Sequence, residues 1–250
     1  MKIVSWNCNG GLRKKTHLLD ALNADLLIIH ECENPASSND AFRSWAGSYL
    51  WRGDNNSKGI GIFPKNIFTV SALEWSGSFS ISGLQSKSKA LTWSSDDLKL
   101  FLPFKLNEQY SFLACWTKGK PDQVFGYMGQ FWKYLQVHRD KLAGEKTFIV
   151  GDFNSNTVWD KSDRWWNHSS TLDELSEMGI ESIYHRQAKE ERGKETYPTF
   201  YLHRSIKKPY HIDYAFASSD ALSLSRLEIG RAEDWLGYSD HMPLILHYDG

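Results

Sequence analysis

The segment TFIVGDFNSN, residues 147–156, combines a strand pattern with a polar ending. Residues 147–150 are β-branched or apolar, which is typical of a strand buried in a sheet. A glycine follows, and Asp152 and Asn154 then stand two positions apart. Residues i and i+2 of an extended chain point to the same side, so the two side chains would meet just beyond the sheet if the extension continues that far. The segment predicts a polar site on a rigid support or, equally well, an ordinary turn.

Length and charge limit what surrounds this segment. The 250 residues fit one large domain, residues 1–250, of the α/β or two-sheet kind. The 29 basic and 30 acidic residues give a net charge of −1. This balance excludes a global electrostatic attraction to nucleic acid, so any surface that binds phosphate must be local.

The cysteines and the hydrophobic runs indicate the cellular compartment of the protein. Cys8, Cys32 and Cys115 are odd in number, match no zinc spacing and lie in or beside apolar runs, which predicts buried free thiols in a reducing environment. Met1 and Lys2 lead directly into an apolar stretch without a signal-peptide pattern, and no run approaches the roughly 20 apolar residues of a membrane span. We therefore expect a cytoplasmic protein with no membrane contact and no obligate protein partner.

Short apolar runs predict many strands with a few helices between them. Residues 2–30 read as strand, helix and strand, which suggests a βαβ unit. The strands are predicted at residues 2–6, 25–30, 59–63, 67–73, 98–106, 110–116, 147–150, 181–185, 199–203, 212–217, 224–230 and 242–247. The helices are predicted at residues 12–22, 41–45, 124–138 and 169–178, the last capped by Ser169 or Ser170. The serine-rich residues 75–97 suggest a hairpin, and the charged residues 188–195 suggest a solvated loop. This order predicts an α+β or α/β fold with two stacked sheets.

Polar residues recur where these strands end or begin. Each alone is explained by a cap, a turn or a surface charge, but together they form an oxygen-rich set. The set comprises Asn7, Glu31, Asp152, Asn154, Asp213, Asp240 and His241. Carboxylate and amide oxygens suit Mg²⁺ or Mn²⁺ rather than a structural zinc. A hard cation, a carboxylate that orients water and an Asp–His pair together suit the hydrolysis of a phosphate ester.

The same residues carry a family resemblance. The motifs, in chain order, are Trp6–Gly10, Glu31, Gly151–Asn154, Ile212–Tyr214 and Ser239–Leu244. In this combination and order the chain resembles the endonuclease/exonuclease/phosphatase superfamily, which includes exonuclease III, AP endonucleases and DNase I. The resemblance covers nearly the whole chain. It implies a four-layer α/β sandwich with two central, mostly antiparallel β-sheets flanked by helices.

The resemblance also implies catalytic roles. Asp152 would orient or deprotonate the attacking water, and Asn154 would hold that carboxylate or a phosphate oxygen. His241 would contact the scissile phosphate, kept in its working tautomer by Asp213. Asn7 would stand beside both the catalytic and the metal-binding residues.

A metal site is implied as well. Glu31 would be the principal ligand of Mg²⁺ (or Mn²⁺), with Asn7 next to it. Asp240 would either support a metal ligand by contact with it or be an alternative ligand itself. Catalysis would consist mainly of neutralising charge on the pentacovalent phosphate.

Two positions depart from the family pattern. His30 stands where many members have glutamine before the metal-binding glutamate, and we interpret it as a residue that packs in the core or supports a metal ligand, not as a ligand. Trp116 stands where many members have tyrosine or histidine. Its indole N–H only donates, so Trp116 cannot act as acid or base. It either packs in the core or touches a phosphate, and Lys118 can supply the missing charge.

The choice of substrate depends on aromatic and basic residues near these motifs. Phe200 resembles an aromatic that lines the substrate cleft in the nuclease branches, although core packing explains it equally well, and Arg204 lies in a basic and aromatic cluster around it. A second cluster follows Asn154 and contains Trp159, Lys161, Arg164, Trp165 and Trp166. It suits unpaired nucleic acid, or a solvated loop over a small hydrophobic core. The leading hypothesis is a Mg²⁺-dependent phosphodiesterase that acts on DNA as a nuclease. The alternative is a small-molecule or lipid-headgroup phosphoesterase of the same fold, similar to an inositol phosphatase or a sphingomyelinase.

Overall fold

The structure is a computed structural model that describes residues 1–84, 88–120 and 123–250. Its strands, in chain order, are β1 (Lys2–Asn7), β2 (Leu26–Cys32), β3 (Leu50–Asn55), β4 (Lys58–Pro64), β5 (Val70–Ala72), β6 (Ser78–Ser80), β7 (Thr92–Ser94), β8 (Phe101–Leu106), β9 (Tyr110–Trp116), β10 (Thr147–Asp152), β11 (Ile180–Ser182), β12 (Phe200–Tyr201), β13 (Pro209–Tyr210), β14 (Asp213–Ser218), β15 (Ser225–Ile229) and β16 (Leu244–Tyr248). The α-helices are α1 (Thr16–Asp20), α2 (Asp40–Ala46), α3 (Met128–Leu142), α4 (His168–Glu177), α5 (Ile183–Ala188), α6 (Ser219–Leu222) and α7 (Ala232–Trp235).

Twelve of the strands form two six-stranded sheets with the same internal plan. The first sheet has the order β15-β16-β1-β2-β4-β3, and the second has the order β11-β14-β10-β9-β8-β5. The central pairs, β1 with β2 and β9 with β10, are parallel, and every other pair within the two sheets is antiparallel. A parallel pair needs a crossover connection, which contains α1 in the first sheet and α3 in the second.

Three hydrophobic cores define four layers. Between the sheets, Ile28 and Ile62 of the first sheet share a core with Phe112 and Phe148 of the second, whose rings stack at 4.9 Å. Because successive side chains of a strand alternate between faces, each sheet also presents an apolar outer face. The outer face of the first sheet packs on α1 and α2, and that of the second packs on α3 and α4. The predicted four-layer sandwich with mostly antiparallel sheets is confirmed.

Helix starts follow from local hydrogen bonds. The Asn39 side-chain oxygen accepts from the Phe42 backbone N–H at 2.9 Å and begins α2. The Asp160 carboxylate accepts from the backbone N–H groups of His168 and Ser169 at 2.8 and 3.1 Å. A carboxylate from an earlier loop therefore begins α4, and the predicted serine cap was wrong.

Other boundaries also differ from the sequence prediction. The segment predicted as a strand at residues 181–185 is a strand only to Ser182, whose hydroxyl accepts from the His185 backbone N–H and starts α5. The predicted strand at residues 199–203 stops at Tyr201 because His203 and Arg204 adopt left-handed φ angles of 56° and 55°. The predicted helix at residues 12–22 is a 3₁₀ turn followed by the short α1.

Further elements were confirmed or not anticipated. Strand β3 was not predicted, because it is a sheet edge whose residues are only partly buried. The serine-rich hairpin is formed by β6 and β7, and its residues 85–87 lie outside the described residues. The three cysteines are buried and free, as predicted. Within the described ranges, no helix is long and apolar enough to cross a membrane.

Candidate active site

The two sheets bring the ends of their central strands to one place. Asn7 ends β1, and its side-chain N–H donates to Glu31 Oε1 at 3.2 Å and to Asp152 Oδ2 at 2.9 Å. Glu31 belongs to β2 of the same sheet, whereas Asp152 ends β10 of the other sheet. One buried amide therefore joins the carboxylates of both sheets.

Asp152 and Asn154 converge through a turn and not through continued extension. Strand β10 ends at Asp152, and Asn154 adopts a left-handed φ of 45°. The Asn154 backbone and side-chain N–H groups donate to the two oxygens of Asp152, each at 2.9 Å. The Asn154 side chain also donates to the Thr117 carbonyl at 3.1 Å. Gly151 is required just before this turn, because a Cβ there would overlap the Cys115 carbonyl oxygen.

Asp152, Asp213 and His241 form a buried acid–imidazole group. The His241 Nδ1 lies 2.9 and 3.2 Å from the two oxygens of Asp213, and its Nε2 lies 3.9 Å from Asp152 Oδ2. The three side chains are 6% exposed or less, so their charges interact with little screening by water. Two hydroxyls complete the frame: Thr199 accepts from the Asp213 backbone N–H, and Ser239 donates to the Asn7 carbonyl and accepts from the His241 backbone N–H.

Burial and mutual charge shift the proton affinities of this group. Burial raises the pKa of Asp152, and Asp213 adds to this effect; His241 and the Asn7 hydrogen bond oppose it, leaving the pKa at about 7. Burial acts to lower the pKa of His241, but the charges of Asp213 and Asp152 outweigh it and raise the pKa to about 9. The two carboxylates therefore favour the protonated, positively charged form of the imidazole.

The corner around Glu31 is more exposed. Glu31 has a left-handed φ of 58° at a bulge between His30 and Cys32, which turns its side chain out of the regular strand pattern. The Lys58 ammonium forms an ion pair with Glu31 Oε2. Asp240 joins this corner through Asn9, whose side chain donates to Asp240 Oδ1 at 3.0 Å while its backbone N–H donates to Asn7 Oδ1 at 3.0 Å.

Two places in the site can attract a metal ion. Asp152, Asp213 and His241 lie close enough together to hold one, and among the described residues they form the single such cluster of histidine, cysteine and acidic side chains. A metal ligand must be deprotonated, so a metal at this cluster would compete with the proton that the two carboxylates favour on His241. The Glu31 carboxylate is partly exposed and already forms an ion pair with a cation, the Lys58 ammonium. The oxygen-rich Glu31 corner therefore fits a hard divalent cation.

The remaining residues predicted from sequence have mixed environments. Trp116 is buried in the core between the sheets, with the Lys118 ammonium 3.5 Å from its ring centroid. Phe200 lies against His241, with ring centroids 4.6 Å apart. Arg204 is exposed and donates to the carbonyls of residues 237 and 238. His30 is fully buried, and burial followed by the charge of His241 lowers its pKa to about 3, which agrees with a neutral core residue.

Sequence reasoning missed four residues that shape the site: Asn9, Lys58, Thr199 and Ser239. Asn9 and Ser239 stand inside the quoted motifs, so their motif positions were a usable signal. The Thr199 hydroxyl accepts from the backbone N–H of Asp213, which stands 14 residues later in the chain, so no local pattern links the two residues. Lys58 carried no signal, because it reaches Glu31 only through the hairpin of β3 and β4.

Comparisons with known proteins agree with this geometry. The family model described as Endonuclease/Exonuclease/phosphatase family matches residues 4–241. Among curated proteins, no sequence match is found. The fold is similar to a 3′-5′ exonuclease, NExo, from Neisseria meningitidis, with a TM-score of 0.71, 17% identity and 100% of each chain covered.

Two further solved structures are similar over their full length. The 3′ phosphatase NExo from Neisseria, bound to a product DNA hairpin, superposes with a TM-score of 0.72 at 17% identity, and 100% of each chain is covered. An AP endonuclease from Archaeoglobus fulgidus gives a TM-score of 0.65 at 16% identity, again with 100% of each chain covered. At these identities the structures show a shared fold, and the family model itself matches residues 4–241. The chain belongs to the endonuclease/exonuclease/phosphatase family.

Proposed function

We propose that the protein is a Mg²⁺-dependent phosphodiesterase that hydrolyses DNA as a nuclease. The observation that carries the proposal is the pair of carboxylates, Glu31 and Asp152, that Asn7 holds together across the two sheets. One carboxylate is partly exposed beside a cation, and the other is buried beside a charged imidazole. This contrast separates a metal-binding role from an acid–base role at one site.

Asp152 is the residue that orients and deprotonates the attacking water. Its raised pKa, near 7, makes the carboxylate a stronger base than an ordinary aspartate while leaving much of it ionised at neutral pH. Asn7 and Asn154 hold the carboxylate by three side-chain and backbone N–H groups. Because the carboxylate is already fixed, no conformational entropy is lost to position the water when the reaction occurs.

His241 supplies positive charge to the phosphate. Asp213 accepts from Nδ1 and keeps the ring oriented, so the Nε2–H is the donor that faces Asp152 and the substrate side. Charge placed where negative charge accumulates on the phosphate is worth more in a buried site than in water.

Glu31 would be the principal ligand of Mg²⁺ or Mn²⁺, and Asn7 and Asp240 would stand in supporting positions. When bound, the cation neutralises charge on the phosphate and lowers the pKa of a coordinated water. Asn9 orients Asp240 toward this corner by its side-chain hydrogen bond. Lys58 must release Glu31 Oε2 for that oxygen to take part.

DNA is the substrate favoured by the residues around the site. The Lys118 ammonium lies 3.5 Å from the centroid of the Trp116 ring. Burial lowers the pKa of Lys118, and the charges of Glu31 and Asp152 act to raise it, so a phosphate bound near these carboxylates would lie within electrostatic reach of the ammonium. Phe200 offers a ring next to His241, and the exposed Arg204 adds a positive charge four residues later in the chain. The similar NExo structure was obtained with a product DNA hairpin. Because Trp116 is buried, it supports Lys118 and does not contact the DNA directly.

The proposal is tested by one substrate panel. Purified protein with Mg²⁺ is incubated in parallel with plasmid, single-stranded DNA, abasic duplex, RNA and inositol phosphates. We expect cleavage of at least one DNA substrate and its loss in Asp152→Ala and His241→Ala, with the exposed Asp140→Ala as the matched control. Hydrolysis of inositol phosphates with every nucleic acid intact would instead support the small-molecule phosphoesterase. Activity that survives Asp152→Ala would overturn the assignment of the site.

A further inference from the structure

One carboxylate of the charged segment 188–195 is buried, although the sequence predicts a solvated loop there. The side chain of Glu195 is 4% exposed. Burial acts to raise its pKa, but hydrogen bonds from His185 and from the Gly193 backbone N–H outweigh this effect and lower the pKa of Glu195 to about 2. The surroundings therefore favour a charged carboxylate inside the protein. A buried charge destabilises the fold unless its oxygens have partners.

The two oxygens of Glu195 bind different parts of the fold. Oε1 accepts from the Gly193 backbone N–H at 2.9 Å and lies 3.1 Å from His185 Nε2. The other ring nitrogen of His185 lies 2.8 Å from the hydroxyl of Ser182, the residue at which α5 begins. Oε2 accepts from the Asn156 side-chain N–H at 3.1 Å. Glu195 therefore connects α5 with Asn156.

Asn156 links Glu195 to the active site. It is 3% exposed and stands two residues after Asn154. Besides donating to Glu195, its side-chain nitrogen lies 2.9 Å from the His211 carbonyl oxygen and 3.0 Å from the Tyr214 hydroxyl. His211 stands just before β14, and Tyr214 lies within that strand. One buried amide therefore ties the chain just after Asn154 to β14 and to Glu195.

The chain just before this amide forms the catalytic turn, residues 152–154. Asn154 has a left-handed φ of 45°, which a residue other than glycine keeps only where its surroundings fix the backbone. The chain after Asn154 is fixed by the Asn156 amide and by Ser155, whose hydroxyl lies 3.2 Å from His168 Nδ1. A shift of this part of the chain would move the Asn154 N–H groups that hold the catalytic carboxylate.

Glu195 can influence the reaction only through this connection. Within the part of the chain that the structure describes, its carboxylate has no hydrogen bond or ion pair with Asp152, Asp213 or His241. The other two acceptors of the Asn156 amide, a carbonyl and a hydroxyl, are neutral. Because an ionised acceptor forms a stronger hydrogen bond than a neutral one, the Glu195 charge strengthens the hold on Asn156.

We propose that Glu195 is a positioning residue, which fixes Asn156 and thereby the catalytic turn. The inference rests on the proposed function, since it concerns phosphodiester hydrolysis at Asp152, and it adds a residue that stands outside the family motifs. Because Glu195 is buried, its loss removes no substrate contact. Its loss should therefore lower kcat, since the water-orienting carboxylate is misplaced, and leave KM nearly unchanged.

The test compares Glu195→Gln with Glu191→Gln, a change in the same loop at a carboxylate that is 75% exposed. Hydrolysis of bis(4-nitrophenyl) phosphate with Mg²⁺ is measured at a temperature well below the thermal midpoint of every variant. We expect Glu195→Gln to lower kcat about 10- to 100-fold, as a small misplacement of a reacting group predicts, and Glu191→Gln to leave it unchanged. A kcat close to that of wild type, or a loss expressed in KM, would overturn the inference.

A second comparison separates positioning from general destabilisation. If Glu195 acts through Asn156, then Glu195→Gln should lower kcat little further in a protein that already carries Asn156→Ala, whereas independent losses would multiply. Losses that multiply would contradict the inference. Glu195→Asp, which keeps the charge but shortens its reach, takes the place of Glu195→Gln if that variant does not fold, and the same pattern is expected.

Hydrogen exchange followed by mass spectrometry tests the connection without any activity. We expect peptides that cover residues 152–158 to exchange about tenfold faster in Glu195→Gln than in wild type, as loss of a hydrogen bond to a charged group predicts, and at the wild-type rate in Glu191→Gln. Unchanged exchange in Glu195→Gln contradicts the inference whatever the activity. A wild-type protein that hydrolyses no phosphodiester contradicts the proposed function, and faster exchange then still supports the link from Glu195 to the catalytic turn.

Discussion

The two sheets of this protein repeat one construction and use it differently. In each, a parallel central pair is joined through a helix, β1 and β2 in the first sheet and β9 and β10 in the second, and a carboxylate stands at the end of the later strand. Glu31 of the first sheet is partly exposed and paired with Lys58. Asp152 of the second sheet is fully buried and held by Asn7 and Asn154. The same strand geometry therefore delivers two carboxylates, and their surroundings decide which can meet a cation and which becomes a base.

The largest effect is expected from Asp213→Asn, which changes the part of the site that the second sheet carries. The substitution keeps the size of the side chain. It removes the charge that orients the His241 ring and stabilises its protonated form. We expect a loss of phosphodiesterase rate of about 10²–10⁴-fold, the range for a positioned acid or base. Initial rates with Mg²⁺ measure it, and Asp234→Asn on the surface of α7 is the control. A rate within a few-fold of wild type would remove the Asp213–His241 pair from the mechanism.

The first-sheet side is tested by Glu31→Gln. Loss of the carboxylate charge should weaken Mg²⁺ binding and lower the rate about 10²-fold, since a bound cation contributes several kcal/mol of charge stabilisation. Raising the Mg²⁺ concentration should restore part of the rate, which it should not do for Asp213→Asn. Isothermal titration with Mg²⁺ or Mn²⁺ measures the binding, with the exposed Glu145→Gln as control. Unchanged metal affinity would place the cation elsewhere, for example at Asp152, Asp213 and His241.

Low pH should destabilise the second sheet through His168, whose ring packs on that of Tyr214 in β14. Burial lowers the pKa of His168 to about 3, below its ordinary value of 6.5. Between these values the unfolded chain binds the proton and the folded chain does not, so stability contributed by the neutral ring is lost as pH falls from 6.5 towards 3. We expect His168→Gln to reduce the pH dependence of the free energy of unfolding by roughly 1 kcal/mol per pH unit in this window.

Denaturant unfolding of wild type and His168→Gln at pH 6.5, 5.5 and 4.5 measures that difference. Parallel slopes for the two proteins would mean that His168 takes up a proton in the folded state. The exposed His17→Gln is the control for the loss of a histidine.

The smallest expected effect belongs to the Lys58–Glu31 ion pair. In Lys58→Met the ammonium no longer competes for Glu31, so Mg²⁺ should bind more tightly, by up to about fivefold given the usual strength of a partly exposed pair. Titration calorimetry compares it with the exposed Lys14→Met. Weaker Mg²⁺ binding by Lys58→Met would show that the lysine supports the cation site instead of competing for it.

Much of the fold could be predicted from particular residues. The apolar runs at 2–6, 25–30 and 147–150 became the central strands, because strands buried on both faces leave a continuous apolar signal. The edge strand β3 and the helix α5 were missed. The first is only partly buried, and the second is started by one hydroxyl, that of Ser182, so neither has a strong periodic pattern.

The sequence by itself determined which polar residues stand at strand ends and in what order, since strand periodicity and turn chemistry are local. Only the tertiary structure decided that Asn7 joins Glu31 to Asp152, that Lys58 rests on Glu31, and that Glu195 holds Asn156. These contacts join residues far apart in the chain, 145 positions for Asn7 and Asp152. They depend on how the sheets stack and how deeply each carboxylate is buried, and burial sets the proton affinity on which the proposed chemistry depends.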